Sequence, residues 1–160
     1  METTWDLTPL FPGLESPEFQ RAWEGLKGRI GELKGLLERE APLPEVLAAL
    51  DAFLEEATPL RAYLYARYSA DTRDEAALAK LSELEILFLD FQRLRPRLTR
   101  YLALKDPEEA GPYRLLVEEA KEEALHMMPE GEEVLAAELS LSGRAAWDKL
   151  HERLTSQITA

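Results

Sequence analysis

Apolar residues recur at helical spacing along almost the whole chain, and no segment alternates apolar and polar residues long enough to predict a strand. The clearest helix follows Ser16-Pro17-Glu18, which combines an N-cap hydroxyl, a first-turn proline and a carboxylate at the positive helix end. Its apolar residues then recur at alternating steps of four and three: Phe19, Trp23, Leu26, Ile30, Leu33 and Leu37. We predict that this stripe is buried.

Four glycines interrupt this first helix, and each costs about 1 kcal/mol relative to alanine in a helix interior. They are Gly25, Gly28, Gly31 and Gly35. Either a neighbouring element packs very close to them, or the helix is loosely held.

The middle of the chain predicts two more helices. The run Pro42-Leu43-Pro44 separates the first helix from the second, in which Pro59 should produce a kink or a break. A capping box, Thr72-Arg-Asp-Glu75, is expected to open the third helix. The segment from Ile86 to Phe91 is apolar nearly all round, which favours a central position for this helix.

Shorter helical segments follow. Asp106-Pro107 caps a turn, Gly111-Pro112 restarts a helix, and another helix follows Pro129. Ser142-Gly143 is expected to turn into the last helix, whose apolar residues are Trp147, Leu150, Leu154 and Ile158. Because the connections are short, neighbouring helices should run antiparallel.

The predicted fold is therefore an all-α bundle of five to seven mostly antiparallel helices. Residues 16–160 form one helical domain, and residues 1–15 form an extended N-terminal arm broken by Pro9, Pro12 and Gly13. We expect four apolar residues to hold this arm against the core: Trp5, Leu7, Leu10 and Phe11.

Composition narrows the classes of function. The chain has 160 residues, 46% hydrophobic and 31% charged, with no cysteine and a formal charge of −12. Such a surface repels phosphate backbones and anionic lipids, which argues against nucleic-acid and membrane roles. The N-terminus Met1-Glu2-Thr3-Thr4 lacks a secretory pattern, so we expect a cytoplasmic protein. The absence of asparagine, only three glutamines and dense charge indicate heat adaptation.

Candidate catalytic residues are scarce. In His151-Glu152-Arg153-Leu154-Thr155, threonine stands where an H-E-x-x-H zinc motif needs its second histidine, so a zinc site is not expected there. His126 is interpreted as closing a helix C-terminus, and Met127 and Met128 as core residues. We therefore assign no catalytic and no metal-binding residue, and substrate-binding residues stay unknown.

Two other sets of residues suggest chemistry only weakly. Acidic pairs are expected by chance among 31 acidic residues: Glu118-Glu119, Glu122-Glu123 and Glu132-Glu133. The tyrosines Tyr63, Tyr65 and Tyr68 are the best candidates for an exposed functional surface, although core packing explains them more simply.

Three stretches carry a family resemblance. They are Trp5-Asp-Leu-Thr-Pro-Leu-Phe-Pro-Gly13, Tyr68-Ser-Ala-Asp-Thr72, and a C-terminal run that comprises His126-Met-Met-Pro-Glu-Gly-Glu-Glu133, Leu139-Ser-Leu-Ser-Gly143 and Ala146-Trp147. In order and spacing the chain resembles the N-terminal region of oligoendopeptidase F zinc metallopeptidases, over most of residues 5–158. Each stretch also has a structural explanation: a capped turn, a helix start and a buried indole at Trp147.

The resemblance implies one wall of a deep channel that admits short peptides to a zinc site. In such enzymes the zinc-binding H-E-x-x-H helix and a further glutamate come much later in the chain. It implies that the chain is a part of a larger peptidase, inactive alone and without a cofactor of its own. Its partners would be the catalytic domain, which carries zinc, and short peptides. A homodimer through an exposed apolar face is a further expectation.

Two alternatives stay open. The chain could be a stand-alone helical protein-interaction module without enzymatic activity, or an enzyme whose site is not visible in the sequence. A reading frame that continues to an H-E-x-x-H motif would favour the peptidase, whereas a natural stop after Ala160 would favour the interaction module.

Overall fold

The computed structural model describes residues 6–156, in which all regular structure is helical and no strand occurs. The long helices are α1 (Pro17–Glu38), α2 (Leu43–Ala70) and α3 (Glu75–Ala103). The shorter ones are a 3₁₀ segment (Pro107–Tyr113), α4 (Arg114–Ala124), α5 (Glu130–Ser140), a π-helical turn (Leu141–Ala145) and α6 (Ala146–Thr155). The predicted all-α bundle is confirmed. None of the described helices is both long and apolar enough to cross a membrane.

The arm is only partly held as expected. Phe11 is buried and Leu7 packs partly against the core, but Leu10 is exposed, so the expectation for Leu10 is wrong. Leu14, which the sequence did not single out, is buried as well, and its carbonyl accepts a hydrogen bond from Gln20 Nε2 at 2.8 Å. The expectations for Trp5 and Ile158 lie outside the described residues.

Helix α1 matches its sequence signals. The Ser16 side chain accepts a hydrogen bond from the Phe19 backbone N–H at 3.2 Å, and the six predicted stripe residues are all buried. Of the four glycines, only Gly25 has a close neighbour, because an added Cβ would lie 2.3 Å from Glu56 Oε2. Gly28, Gly31 and Gly35 face open space.

Helix α2 runs without interruption through Pro59, so the predicted break does not occur. A proline removes one helical hydrogen bond and crowds the preceding turn. Here the buried residues Ala57 and Leu60 flank it and hold both halves of the helix in the same core, and tertiary packing outweighs the local penalty.

Helix α3 corrects two predictions. The N-cap is Asp74 rather than Thr72, since the Asp74 carboxylate accepts the Ala77 backbone N–H at 2.9 Å. The segment from Ile86 to Phe91 is not central: Ile86 is 62% exposed and its apolar neighbours are only partly buried. Too few elements pack around this part of α3 to cover an all-round apolar surface.

The core consists of two adjoining clusters built by α1, α2 and α3. One cluster joins the arm, the first half of α1 and the middle of α2, where Phe53 stacks on Phe91 with ring centroids 4.3 Å apart. The other joins the end of α1, the start of α2, the end of α3, and α4, where the Tyr101 hydroxyl donates to the Ala41 carbonyl at 2.5 Å. Burial of these apolar side chains is the main stabilising contribution.

The C-terminal helices contrast with this core. Helix α5 lies against α3, but neither α5 nor α6 buries a residue. The expected turn at Ser142-Gly143 is a π-helical segment in which Gly143 leaves helical geometry (φ −89°, ψ −107°). Trp147 is 70% exposed, so the prediction of a buried indole is wrong. Its helix has a well-formed apolar stripe with no neighbour over it among residues 6–156.

Candidate functional site

A cavity of about 420 Å³ lies where α6 and the end of α5 cross the α2–α3 hairpin. Helix α2 lines it with Arg61, Tyr65 and Tyr68, and α3 adds Phe88. A second, more open cavity of about 380 Å³ is lined mainly by α2 and shares Arg61, Tyr65 and Phe88 with the first. The two cavities adjoin at these three side chains and together make up the groove.

The three tyrosines of α2 divide between core and surface. Tyr63 and Tyr68 are buried, 3% and 4% exposed, whereas Tyr65 is 57% exposed at the groove. Tyr63 packs edge-on against Phe11 with ring centroids 5.3 Å apart. The core interpretation holds for Tyr63 and Tyr68, and the exposed-surface interpretation holds for Tyr65.

A polar network fixes the turn between α2 and α3 at one end of the groove. Arg67 Nε donates to Asp74 at 2.6 Å, and its Nη1 donates to the Tyr63 hydroxyl at 3.3 Å. Burial acts to raise the pKa of Asp74, but hydrogen bonds from the Ala77 backbone and from Arg67 outweigh it and hold this pKa below its ordinary value. The pKa of Arg67 is raised, mainly by its bond to Asp74. Both groups are therefore held charged at the hairpin turn.

Helix α6 is attached to the hairpin through polar contacts. The Lys149 ammonium pairs with the Glu85 carboxylate of α3 across the cavity. Near the hairpin turn, the Thr72 and Ser156 hydroxyl oxygens lie 3.4 Å apart. These contacts set the direction in which α6 crosses α3, while its apolar stripe stays in solvent.

The residues of the H-E-x-x-H-like sequence are not arranged as a metal site. His151 is exposed, as predicted, and the Thr155 hydroxyl donates to the His151 carbonyl at 2.8 Å. The threonine thus closes a helical turn on its own backbone. Among residues 6–156, no group of three or more His, Cys, Asp or Glu side chains is placed to hold a metal ion. The described residues do not fit a catalytic zinc.

His126 follows the end of α4, where its backbone N–H donates to the Glu123 carbonyl at 3.0 Å, as expected for a helix C-terminus. Its ring is exposed, with Nε2 3.7 Å from Glu122 Oε1. Met128 is 42% exposed, so its interpretation as a core residue is wrong. The acidic pairs are surface residues, and Glu133 is engaged as an acceptor for the Met128 backbone N–H at 2.9 Å.

Residues 100–159 match the family model for the N-terminal region of M3 peptidases, described as Oligopeptidase F. The resemblance to the oligoendopeptidase F family is confirmed. The match begins in the last turn of α3 and covers α4, α5 and α6, so it contains the C-terminal run that carried the most specific likeness. The stretches at 5–13 and 68–72 lie outside the matched residues. Neither the curated proteins nor the solved structures compared with the chain gave a match.

Sequence reasoning missed two features of the groove. The cross-helix pair of Glu85 with Lys149 joins residues 64 positions apart, which no local pattern reveals. Arg61 did carry a signal. Its neighbours one helical turn away, Ala57 and Tyr65, are uncharged in a chain with 31 acidic residues. An arginine without a local partner in so acidic a chain was a candidate for a binding role.

Proposed function

We propose that this chain is the N-terminal, non-catalytic helical domain of a zinc-dependent oligoendopeptidase that hydrolyses short peptides. Residues 16–160 form the domain and residues 1–15 its arm, and the domain contributes part of the wall of the substrate channel. The catalytic region of the same polypeptide supplies the zinc and the groups that hold it. The match of residues 100–159 to Oligopeptidase F is the observation that carries this proposal.

The distribution of exposed apolar side chains supports it. Of the 13 large hydrophobic residues that are exposed among residues 6–156, nine lie within the matched residues. They are Leu104, Leu115, Leu125, Met128, Leu135, Leu139, Trp147, Leu150 and Leu154. A concentration of exposed apolar surface marks an interaction site. The part of the chain with the family likeness is thus also the part with surface for a neighbour to cover.

The experiment compares two proteins. The polypeptide encoded by the complete reading frame should cleave a quenched fluorogenic peptide, and a chelator should abolish the cleavage. The 160-residue chain, purified alone, should neither cleave the peptide nor hold stoichiometric zinc. Chelator-sensitive turnover by the pure 160-residue chain would overturn the assignment of this domain as non-catalytic.

One observation favours a second candidate, a helical interaction module that acts by self-association. Trp147, Leu150 and Leu154 share one face of α6 and are all exposed. Burying this face against a second copy would form a homodimer. Sedimentation of the 160-residue chain at rising concentration tests this, with Trp147→Glu as the variant that should abolish any dimer. A chain that stays monomeric argues against this candidate.

We also propose a cytoplasmic, heat-adapted protein. Ion pairs that link separate elements support the heat adaptation, such as Arg93 with Glu138 at 2.7 Å and Arg95 with Glu123 at 2.8 Å. Networks of this kind contribute most at high temperature. The measurement is the melting temperature, expected well above the range of about 45–65 °C of ordinary domains.

A further inference from the structure

Arg61 is a charged group without a charged partner among the described residues. It lies exposed on α2 and forms no ion pair within residues 6–156. The residues three and four positions away on its own helix are neutral: Ala57, Thr58, Leu64 and Tyr65. Its guanidinium is therefore available to an external anion, in a chain that carries 31 acidic residues.

The surroundings of Arg61 are aromatic and concave. Tyr65 and Phe88 line both parts of the groove together with Arg61. The cavities have volumes of about 420 and 380 Å³, which is space for side chains or a short peptide. A cation beside an apolar floor suits a ligand that has an anionic group next to an apolar side chain.

The other charged groups of the larger cavity make the charge of the groove different at its two ends. Glu85 is paired with Lys149, and Asp148 lies 3.7 Å from Arg144. Glu152 forms no ion pair within residues 6–156. Among residues 6–156, Glu152 is thus the negative group of the groove that has no ion-pair partner, and Arg61 is the positive one.

The two ends can be placed along α2. The contact of Ser156 with Thr72 puts the C-terminal end of α6, and with it Glu152, near the hairpin turn that follows Tyr68. Arg61 precedes Tyr68 by seven residues, which is about 10 Å along a helix. An extended peptide of about three residues spans this length.

We propose that this groove binds a short peptide with free termini. The peptide's terminal carboxylate pairs with Arg61, its apolar C-terminal side chain packs against Tyr65 and Phe88, and its ammonium group lies toward Glu152. This proposal deepens the proposed function, on which it rests for the meaning of the site, because it gives the channel wall a specific hold on peptide substrates.

The chemistry favours this ligand over other anions. A planar guanidinium binds a carboxylate through two parallel hydrogen bonds, which are stronger than neutral ones. Polyanions are repelled by a chain of net charge −12, whereas a peptide with one carboxylate and one ammonium has no net charge to be repelled. Peptides with acidic side chains should bind less well than apolar ones.

The experiment is isothermal titration calorimetry of the 160-residue chain with the tripeptide Ala-Ala-Phe and with its C-terminal amide. We expect the free acid to bind about tenfold more tightly than the amide or better, since a charge-assisted hydrogen-bonded pair is lost with the amide. Arg61→Gln should lower the affinity for the free acid to that for the amide. Tyr65→Ala should weaken both peptides alike.

Arg21→Gln is the matched control. It removes the same charge from an exposed position on α1, and should leave both affinities unchanged. Circular dichroism confirms that each variant is folded. Equal affinity for acid and amide, a preference that survives Arg61→Gln, or no binding of either peptide would overturn the proposal.

The outcomes separate this proposal from the proposed function. A complete polypeptide without peptidase activity, whose N-terminal chain still prefers the free acid through Arg61, sinks the enzyme assignment alone. If the complete polypeptide is an active peptidase but the 160-residue chain does not prefer the free acid to the amide, only the proposal of peptide binding in the groove is rejected.

Discussion

The long helices α1, α2 and α3 and the C-terminal helices α5 and α6 all carry apolar residues at helical spacing, but their surroundings differ. All 29 buried hydrophobic residues of the described chain lie at or before Ala120. Between Ala120 and Ser156, the apolar side chains whose burial the structure describes are exposed or partly exposed. A stripe of apolar residues therefore shows that a helix has a face to bury, and it does not show that this chain supplies the partner.

Because of this difference, we expect the long helices to determine the stability of the fold and the C-terminal helices to determine binding to other surfaces. The first region carries the packing that holds the fold. The second, beyond Ala120, lies within the matched residues 100–159 and carries most of the exposed large hydrophobic side chains among residues 6–156. Substitutions in the first region should change the free energy of unfolding. Substitutions in the second should change association and leave the fold of the isolated chain intact.

The largest expected effect is in the core. Phe53→Ala should lower the free energy of unfolding by about 3–5 kcal/mol, because Phe53 is fully buried and its removal leaves a cavity beneath Phe88 and Phe91. Urea denaturation followed by circular dichroism measures the loss. Ile86→Ala, at an exposed position on α3, is the control and should change stability by less than about 0.5 kcal/mol. Similar losses for both would contradict the distinction between core and surface.

The next effect is at the cap of α3. Asp74→Ala should cost about 0.5–2 kcal/mol, the usual value of an N-cap. The folded pKa of Asp74 lies below its unfolded value of about 3.9. Its contribution is therefore complete above that value, and is lost as the pH falls through the lower folded pKa.

The control for this cap is Thr72→Ala. It removes the hydroxyl that the sequence favoured as the cap, and should cost less than Asp74→Ala. Stability measured between pH 7 and pH 2 should fall less steeply for Asp74→Ala than for the parent. An equal pH dependence would show that Asp74 is not the stabilising carboxylate.

A smaller effect separates two glycines of α1. Gly28→Ala should stabilise the chain by up to about 1 kcal/mol, since the new methyl group faces open space. Gly25→Ala should gain less, because its Cβ would displace the Glu56 carboxylate, which pairs with Arg29 at 3.0 Å. Thermal unfolding of the two variants gives the comparison, and equal gains would rule out close packing at Gly25.

The smallest effect is expected at Trp147, the most exposed aromatic residue between residues 6 and 156. Trp147→Ala should change the stability of the isolated chain by less than about 0.5 kcal/mol. Hydrogen exchange should likewise show faster exchange in α5 and α6 than in α1 and α2. A loss of several kcal/mol would mean that Trp147 is packed in solution, and would remove the contrast between the two regions.

The positions of the helices could be predicted from the sequence far better than the contacts that each helix makes with other elements. The stripe of α1 was predictable because its apolar residues follow the helical period directly after a clear N-cap, and the structure buries these same residues. The cap of α3 was not, because Thr72 and Asp74 both suit the position. Only the tertiary pairing of Asp74 with Arg67 adds a second reason for the carboxylate.

The groove was out of reach for a related reason. Tyr65 could be named as a candidate from its cluster, but its neighbour Phe88 comes from another helix, and Glu152 reaches the cavity only because α6 crosses the hairpin. Such a site depends on how helices approach one another. Periodicity along a single helix contains no information about that approach.

The bend at Gly143 has a mechanical consequence. Because helical geometry is interrupted at this one residue, a rotation about its backbone would move the ten residues of α6 together as a rigid body. Such a rotation would not disturb the core, since no side chain of α6 is buried in it. Among residues 6–156, the Lys149–Glu85 pair and the Thr72–Ser156 contact join this end of the chain to the α2–α3 hairpin, and polar surface contacts of this kind contribute little free energy. Such a rotation would therefore open or shut the groove at a small energetic cost.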